Sequence, residues 1–100
     1  MAITMGYDNI ILQLIGFGKS NGTTGREMAK LSQSSIGAVT GAISRLRRNG
    51  VLICASVYNG GYYRPVNDEE LQEWLKTEKR RIKTHRAAIK PAMDYLKSKG

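Results

Sequence analysis

The sequence predicts a mainly α fold with one small β-hairpin, in the order helix, helix, helix, hairpin, long helix. Three observations carry that prediction. Apolar residues recur at helical spacing in three short runs before residue 50. Asn59-Gly60 lies between two β-branched or aromatic runs, the strongest short signal for a hairpin. From residue 67 onward, apolar positions recur with an alternating 4-3 spacing almost to the C-terminus.

The first helix is expected over about residues 7–16. Ile10, Ile11, Leu14 and Ile15 supply its buried face, and Tyr7 or Asp8 lies near its start. Gly16 and Gly18 end it, because glycine accepts the left-handed conformation at a helix C-terminus. Lys19-Ser20-Asn21-Gly22 then reads as a turn. Thr24-Gly25-Arg26-Glu27 has the spacing of a capping box, so a short helix should run over residues 25–31 and bury Met28 and Leu31. Ser32-Gln33-Ser34-Ser35 breaks the pattern and offers hydroxyls to cap the next helix.

The third helix is expected over about residues 36–49, stopped by Gly50. Val39, Ala42, Ile43 and Leu46 project to one side; Gly37, Gly41, Ser44 and Arg48 project to the other. Ala38 and Arg45 border that outer strip on one edge, Thr40 and Arg47 on the other. The outer strip thus has little side-chain bulk before its C-terminal end. Each internal glycine costs roughly 1 kcal/mol relative to alanine in an exposed helix. A helix that carries this cost suits a partner approaching its backbone closely.

Residues 51–58 are rich in β-branched and apolar side chains and read as a strand. Tyr62-Tyr63-Arg64 is the returning strand, and Pro65 ends the pairing by removing a donor. The last helix spans about residues 67–97. Asn67 or Asp68 caps it, with Glu70 placed for a reciprocal bond. Leu71, Leu75, Ile82, Ile89, Ala92 and Leu96 form its apolar row, and Glu78 and His85 complete the 4-3 spacing. Trp74, Arg81, Ala88 and Tyr95 form a neighbouring row. Pro91 should kink the helix near residues 87–91. The expected organisation is a domain over residues 1–66 and a long helix over residues 67–100.

Charge narrows the function. Among 100 residues, 16 Lys and Arg oppose 8 Asp and Glu, for a net charge of +8. Such a surplus favours polyanions, nucleic acid first. Ile10 to Ile15 is far too short to cross a membrane, and no basic segment followed by an apolar run opens the chain. A single cysteine, Cys54, makes no internal disulfide and suits a reducing cytoplasm; it reads as a small buried strand residue. With one distant histidine, His85, it forms no zinc site, and the chain implies no cofactor or metal. An enzyme is not expected: His85 lies on the helix seam without a nucleophile, and Glu69-Glu70 opens an exposed helix. Acids gather at the start of the last helix, where the helix dipole favours them. Lys79, Arg80, Arg81, Lys83, Arg86 and Lys90 follow with no acid between them, more than the dipole needs.

Three helices followed by a two-stranded hairpin make a winged helix-turn-helix. The stretch Thr24-Gly25-Arg26-Glu27-Met28-Ala29, taken with residues Val39 to Leu52, resembles the winged-helix core of small bacterial and phage regulators. Tyr58-Asn59-Gly60-Gly61-Tyr62-Tyr63-Arg64-Pro65 resembles their wing, and the acidic-then-basic final helix is similar to short winged-helix proteins of phages and prophages in Gram-positive bacteria. The resemblance implies a double-stranded DNA-binding protein of the bacterial host cytoplasm, a transcriptional regulator or a replication accessory protein. The third helix would enter the major groove, and the wing would reach an adjacent groove or the backbone. Ser34 and Ser35 would meet phosphates at the helix N-terminus. Thr40, Ser44, Arg45 and Arg48 are the expected base readers. Arg47, Arg64 and Asn59 are expected on phosphate. Gly37 and Gly41 open the strip where a strongly specific recognition helix usually carries Arg, Gln or Asn. Shape readout, weak specificity or a docked host protein therefore stand beside direct readout; the alternative is a protein-binding winged helix such as a phage-encoded inhibitor of a host or defence enzyme.

Leu71, Leu75, Ile82, His85, Ile89 and Leu96 form the expected seam of a homodimer, with folding back onto the core as the alternative. Trp74 and Leu75 are near enough to the domain to pack on the first helix. Two charged copies of His85 in such a seam would loosen it on acidification. Tyr58, Tyr62 and Tyr63 are expected to pack and to pair across the hairpin.

Overall fold

A computed structural model describes residues 6–56 and 59–99. Four α-helices and a small three-stranded antiparallel sheet make up the described chain: α1 (Tyr7–Leu14), β1 (Thr23–Thr24), α2 (Gly25–Leu31), α3 (Ile36–Arg48), β2 (Cys54–Ala55), β3 (Gly61–Tyr63) and α4 (Asp68–Lys99). A 3-10 turn, Lys19–Asn21, precedes β1. None of these helices is long and apolar enough to cross a membrane.

α3 is the centre of the domain and packs against both α1 and α2. Its Val39, Ala42, Ile43 and Leu46 are buried, as their spacing predicts, and meet Ile11, Ile15, Met28, Ala29 and Ile53 in one core. Thr24 caps α2 through its hydroxyl, which accepts from the Glu27 N–H at 3.1 Å. Leu31, expected inside, is 65 % exposed. The buried arc of α2 is centred between Met28 and Ala29, and Leu31 lies roughly 110° from that centre. Ile10 likewise falls at the rim of the buried arc of α1, not inside it.

The turn between α2 and α3 is closed by backbone. The N–H of Ser34 donates to the Ala29 carbonyl and that of Gln33 to the Lys30 carbonyl, with Gln33 in the left-handed region at φ +54°. At the other end of α1, a β-carbon on Gly16 would overlap the Asn21 carbonyl oxygen, so only glycine lets the 3-10 turn fold so close.

The sheet differs from expectation in two ways. Its order is β1-β3-β2, with Thr23 opposite Tyr62 and Cys54 opposite Tyr63. β1 is too short and too polar to register as a strand in the sequence. β2 is much shorter than residues 51–58, because the Val51 N–H donates to Leu46 and the Ile53 carbonyl accepts from the Arg47 guanidinium. Those groups are therefore taken by α3, not by a neighbouring strand. Between β2 and β3 the Ser56 N–H donates to the Gly61 carbonyl at 2.8 Å and the Gly60 N–H to the Ser56 carbonyl at 3.1 Å, with Gly60 at φ +70°. These bonds pair Ser56 with Gly61, not Tyr58 with Gly61 as a two-residue Asn-Gly turn would; the expected packing of Tyr58 lies outside the described residues.

α4 is anchored at its N-terminus. The Asn67 Oδ1 accepts from the Glu70 N–H at 2.9 Å. The Glu70 carboxylate does not return the bond to Asn67; it accepts from the N–H groups of Val66 and Lys19 instead. Lys19 Nζ adds an ion pair to Glu73 at 2.9 Å. The helix runs through Pro91 to Lys99 without a break.

Candidate nucleic-acid interface

The outer face of α3 is built by its cap and by what lies behind it. Ser35 caps the helix, its hydroxyl accepting from the Ala38 N–H at 3.0 Å. Ser34 is turned the other way: its hydroxyl is bonded to Tyr7 Oη at 2.6 Å and to Ser32 Oγ at 2.7 Å. Of the two serines expected at phosphate, Ser35 stands exposed at the helix start while Ser34 ties the turn to α1.

Along the helix, Gly37, Thr40, Ser44 and Arg48 are exposed, and Gly41 is half-buried. The Thr40 hydroxyl donates to the Ile36 carbonyl at 2.9 Å, which leaves its methyl group as the outward contact. A β-carbon at Gly37 would meet only Ser35 Oγ, at 3.8 Å, and one at Gly41 only Arg45 Nη1, at 3.4 Å. Among the described residues nothing requires glycine at either place.

Three of the four expected arginines are engaged within the chain. Arg45 grips Asp8 of α1 with two parallel bonds, Nε to Oδ2 and Nη2 to Oδ1, each at 2.9 Å. These hydrogen bonds, aided by the charge of Arg45, hold the Asp8 carboxyl below its usual range. Arg47, expected on phosphate, lies against the sheet. Its Nε donates to the Ile53 carbonyl at 3.0 Å, and its guanidinium lies 5.1 Å from the Trp74 ring and 6.0 Å from the Tyr62 ring. Arg64 stacks on Phe17 at 4.8 Å. Arg48 is exposed and has no bonding partner among the described residues. Asn59, just before β3, accepts at its Oδ1 from the Gly61 N–H at 2.9 Å.

The aromatic residues of β3 divide by face. Tyr63 is buried between the sheet and α4, where desolvation pushes its phenol up to about 12. Neighbouring Cys54 is fully buried and its thiol is pushed up for the same reason, so at neutral pH it is an inert core thiol. Trp74 lies over Arg47, not on the first helix as expected. Together with Ser56, Tyr63, Glu73 and Thr77 it lines a small cavity of about 70 Å³, and the buried Trp74 Nε1 has no partner there.

The expected dimer residues fall into two groups. Leu71 is half-buried beside the domain. Leu75, Ile82, Ile89 and Leu96 are between 39 % and 68 % exposed, and His85 is exposed between them. From residue 79 to residue 99 every side chain of α4 is exposed.

No family model, curated protein or solved structure matches the chain.

Proposed function

We propose that residues 6–66 form a winged helix-turn-helix that binds double-stranded DNA, with α3 in the major groove and the β2–β3 hairpin on the adjacent groove or backbone. The reading is supported by the element order α1-β1-α2-α3-β2-β3, by the closed turn between α2 and α3, and by the net charge of +8. The observation that carries it is the pair Gly37 and Gly41. Both lie on the outer face of α3 with space for a β-carbon. Helix stability alone would favour alanine there, so the glycines point to a requirement outside the monomer: close approach of a groove wall to the helix backbone. Thr40, Ser44 and Arg48 then supply base contacts around that approach, and Ser35 with the free N–H groups of the first turn supplies a phosphate contact. Arg45 holds α3 to α1 in this reading and does not read bases.

The test is anisotropy of a labelled duplex of about 25 base pairs, titrated at several salt concentrations. Wild type is expected to bind with a salt slope equivalent to roughly 5–8 phosphates. The variant Gly37→Ala/Gly41→Ala is expected to melt higher, by about 1 kcal/mol per site, yet to bind the duplex at least about tenfold more weakly, since two methyl groups would hold the helix off the groove. No duplex binding at low salt, or an unchanged affinity in the double variant, refutes the reading.

A second reading, a host protein on the same face, draws on Leu31 and Ile36. Both are more than half exposed on either side of the α2–α3 turn. It requires Leu31→Asn to abolish capture of a stoichiometric protein partner while leaving DNA binding intact.

The same proposal includes a homodimer through α4. Leu75, Ile82, Ile89 and Leu96 recur every seven residues with Glu78, His85 and Ala92 at the intervening positions, the spacing of a coiled-coil seam. Light scattering is expected to give twice the chain mass for wild type and the single chain mass for Ile82→Gln/Ile89→Gln; a monomeric wild type at high concentration refutes this part.

A further inference from the structure

α4 carries a second feature beside its apolar row. At about 100° per residue, Lys76, Lys79, Lys83, Arg86, Lys90 and Lys97 fall within an arc of about 80°. Along the axis they extend over roughly 30 Å at ~1.5 Å per residue. All six are exposed, and among the described residues only Lys90 has an ion-pair partner, Asp94 at 3.0 Å, which lies in the same arc. The remaining acids near this length of helix are engaged elsewhere: Glu73 with Lys19, and Glu78 with Arg81 on the opposite flank. Six of the nine cations from residue 76 onward therefore share one side of the helix, and five of those six have no ion pair among the described residues.

Propensity does not explain this sorting. A solvated helix gains from opposite charges at i and i+4, and this flank has one such pair. The helix dipole does not explain it either, since its effect fades within the last turn and the stripe begins three residues after Glu73.

We propose that this stripe is a phosphate-binding surface for the backbone of duplex DNA, separate from the face of α3. The choice of ligand rests on the duplex-binding reading of the domain, while the surface itself is independent of how α3 is used. A straight row of cations fits a ridge of evenly spaced charge, and duplex DNA presents one negative charge per ~1.7 Å of its axis. Single-stranded nucleic acid fits less well, because its binding surfaces interleave stacking aromatics with the cations. The stripe has none: Tyr95 lies on another side of the helix and Trp74 is turned onto Arg47. The stripe borders the apolar row without interrupting it, so a second copy can pair along Ile82 and Ile89 while the cations stay outward.

Two charge-matched triple variants test this by salt-dependent anisotropy on the same duplex. Lys79→Gln/Lys83→Gln/Arg86→Gln removes three stripe cations. Arg80→Gln/Arg81→Gln/Lys99→Gln removes the same charge from other sides of the helix. The stripe variant is expected to reduce the slope of log K against log salt by about 2.7 and to weaken binding about tenfold or more at physiological salt. The matched variant is expected to change the slope by less than about 1. Equal losses in the two variants, or none in the stripe variant, overturn the proposal. So does an equal loss on a single strand of the same sequence, which would reassign the surface. The two readings separate cleanly. If Gly37→Ala/Gly41→Ala leaves affinity unchanged while the stripe variant loses it, the stripe stands and the α3 reading falls. The opposite pattern spares α3 and removes the stripe.

Discussion

The domain up to residue 66 and the part of α4 beyond residue 78 are made from the same kinds of residue and held by different means. In the domain, apolar side chains from four separate stretches close on α3, and Ile11, Met28, Val39 and Ala42 have no exposed surface at all. In the distal half of α4, Ile82 and Ile89 are each 52 % exposed, and no side chain is buried. Both regions have helical periodicity. Only the domain has opposing elements that turn the periodicity into burial, at about 25 cal/mol per Å² of apolar surface removed from water. A pattern of apolar residues is thus a capacity for packing, and in the distal helix that capacity is left unused.

The largest break should come from the core. Ile43→Ala removes a side chain 2 % exposed at the contact of α3 with its neighbours and is expected to cost about 3 kcal/mol, lowering the melting temperature by about 15 °C. Next is Arg47→Met, which keeps the aliphatic stem but loses the donor to Ile53 and the cation over Trp74. A loss of about 2 kcal/mol in a denaturant titration is expected, whereas Arg48→Met, on the open side, should be close to neutral.

A smaller effect links the two regions through Glu70. Its carboxyl is held below its usual range by the N–H groups of Lys19 and Val66. Asp8 is depressed in the same direction by Arg45. A depressed carboxyl contributes stability that is present above its unfolded pKa and lost as pH falls through its folded value. Stability should therefore decline as pH drops below about 4. Glu70→Gln should lower the melting temperature at pH 7 and flatten that decline, as melts across the acid range would register. The smallest effect on the domain should come from the distal helix. Ile82→Gln/Ile89→Gln, measured at concentrations where the chain is monomeric, should shift the domain melt by less than about 0.5 kcal/mol. A large shift there would mean the distal helix folds back on the core, and the contrast between the regions would collapse.

Much of this was legible in the chain because local chemistry is written locally. The Thr24 and Ser35 caps, the buried side of α3 and the span of α2 all rest on residues within one or two turns of each other. The seam of α4 is likewise a spacing. The site was read less completely. Spacing placed Gly37, Gly41, Ser44 and Arg48 on one face, and they are on it. Spacing could not tell Arg48 from Arg45 or Arg47, because the partners that occupy those two, Asp8 and Ile53, come from other elements. One signal was available for Arg45. Asp8 and Glu27 are the only acids before residue 68, and a lone acid on a neighbouring helix is a natural partner for a border arginine.

By itself the sequence determined the helices, the Thr24 and Ser35 caps, the charge surplus and the two stripes of α4, since all of these depend on residue type at short spacing. Only the tertiary structure decided the third strand, the shortened β2, the fate of each arginine and the anchoring of α4 through Glu70. Those are settled by backbone groups far apart in the chain competing for partners once the core has closed. A two-residue strand such as Thr23–Thr24 exists because Gly61 and Tyr62 are brought beside it, and no pattern within the two threonines records that.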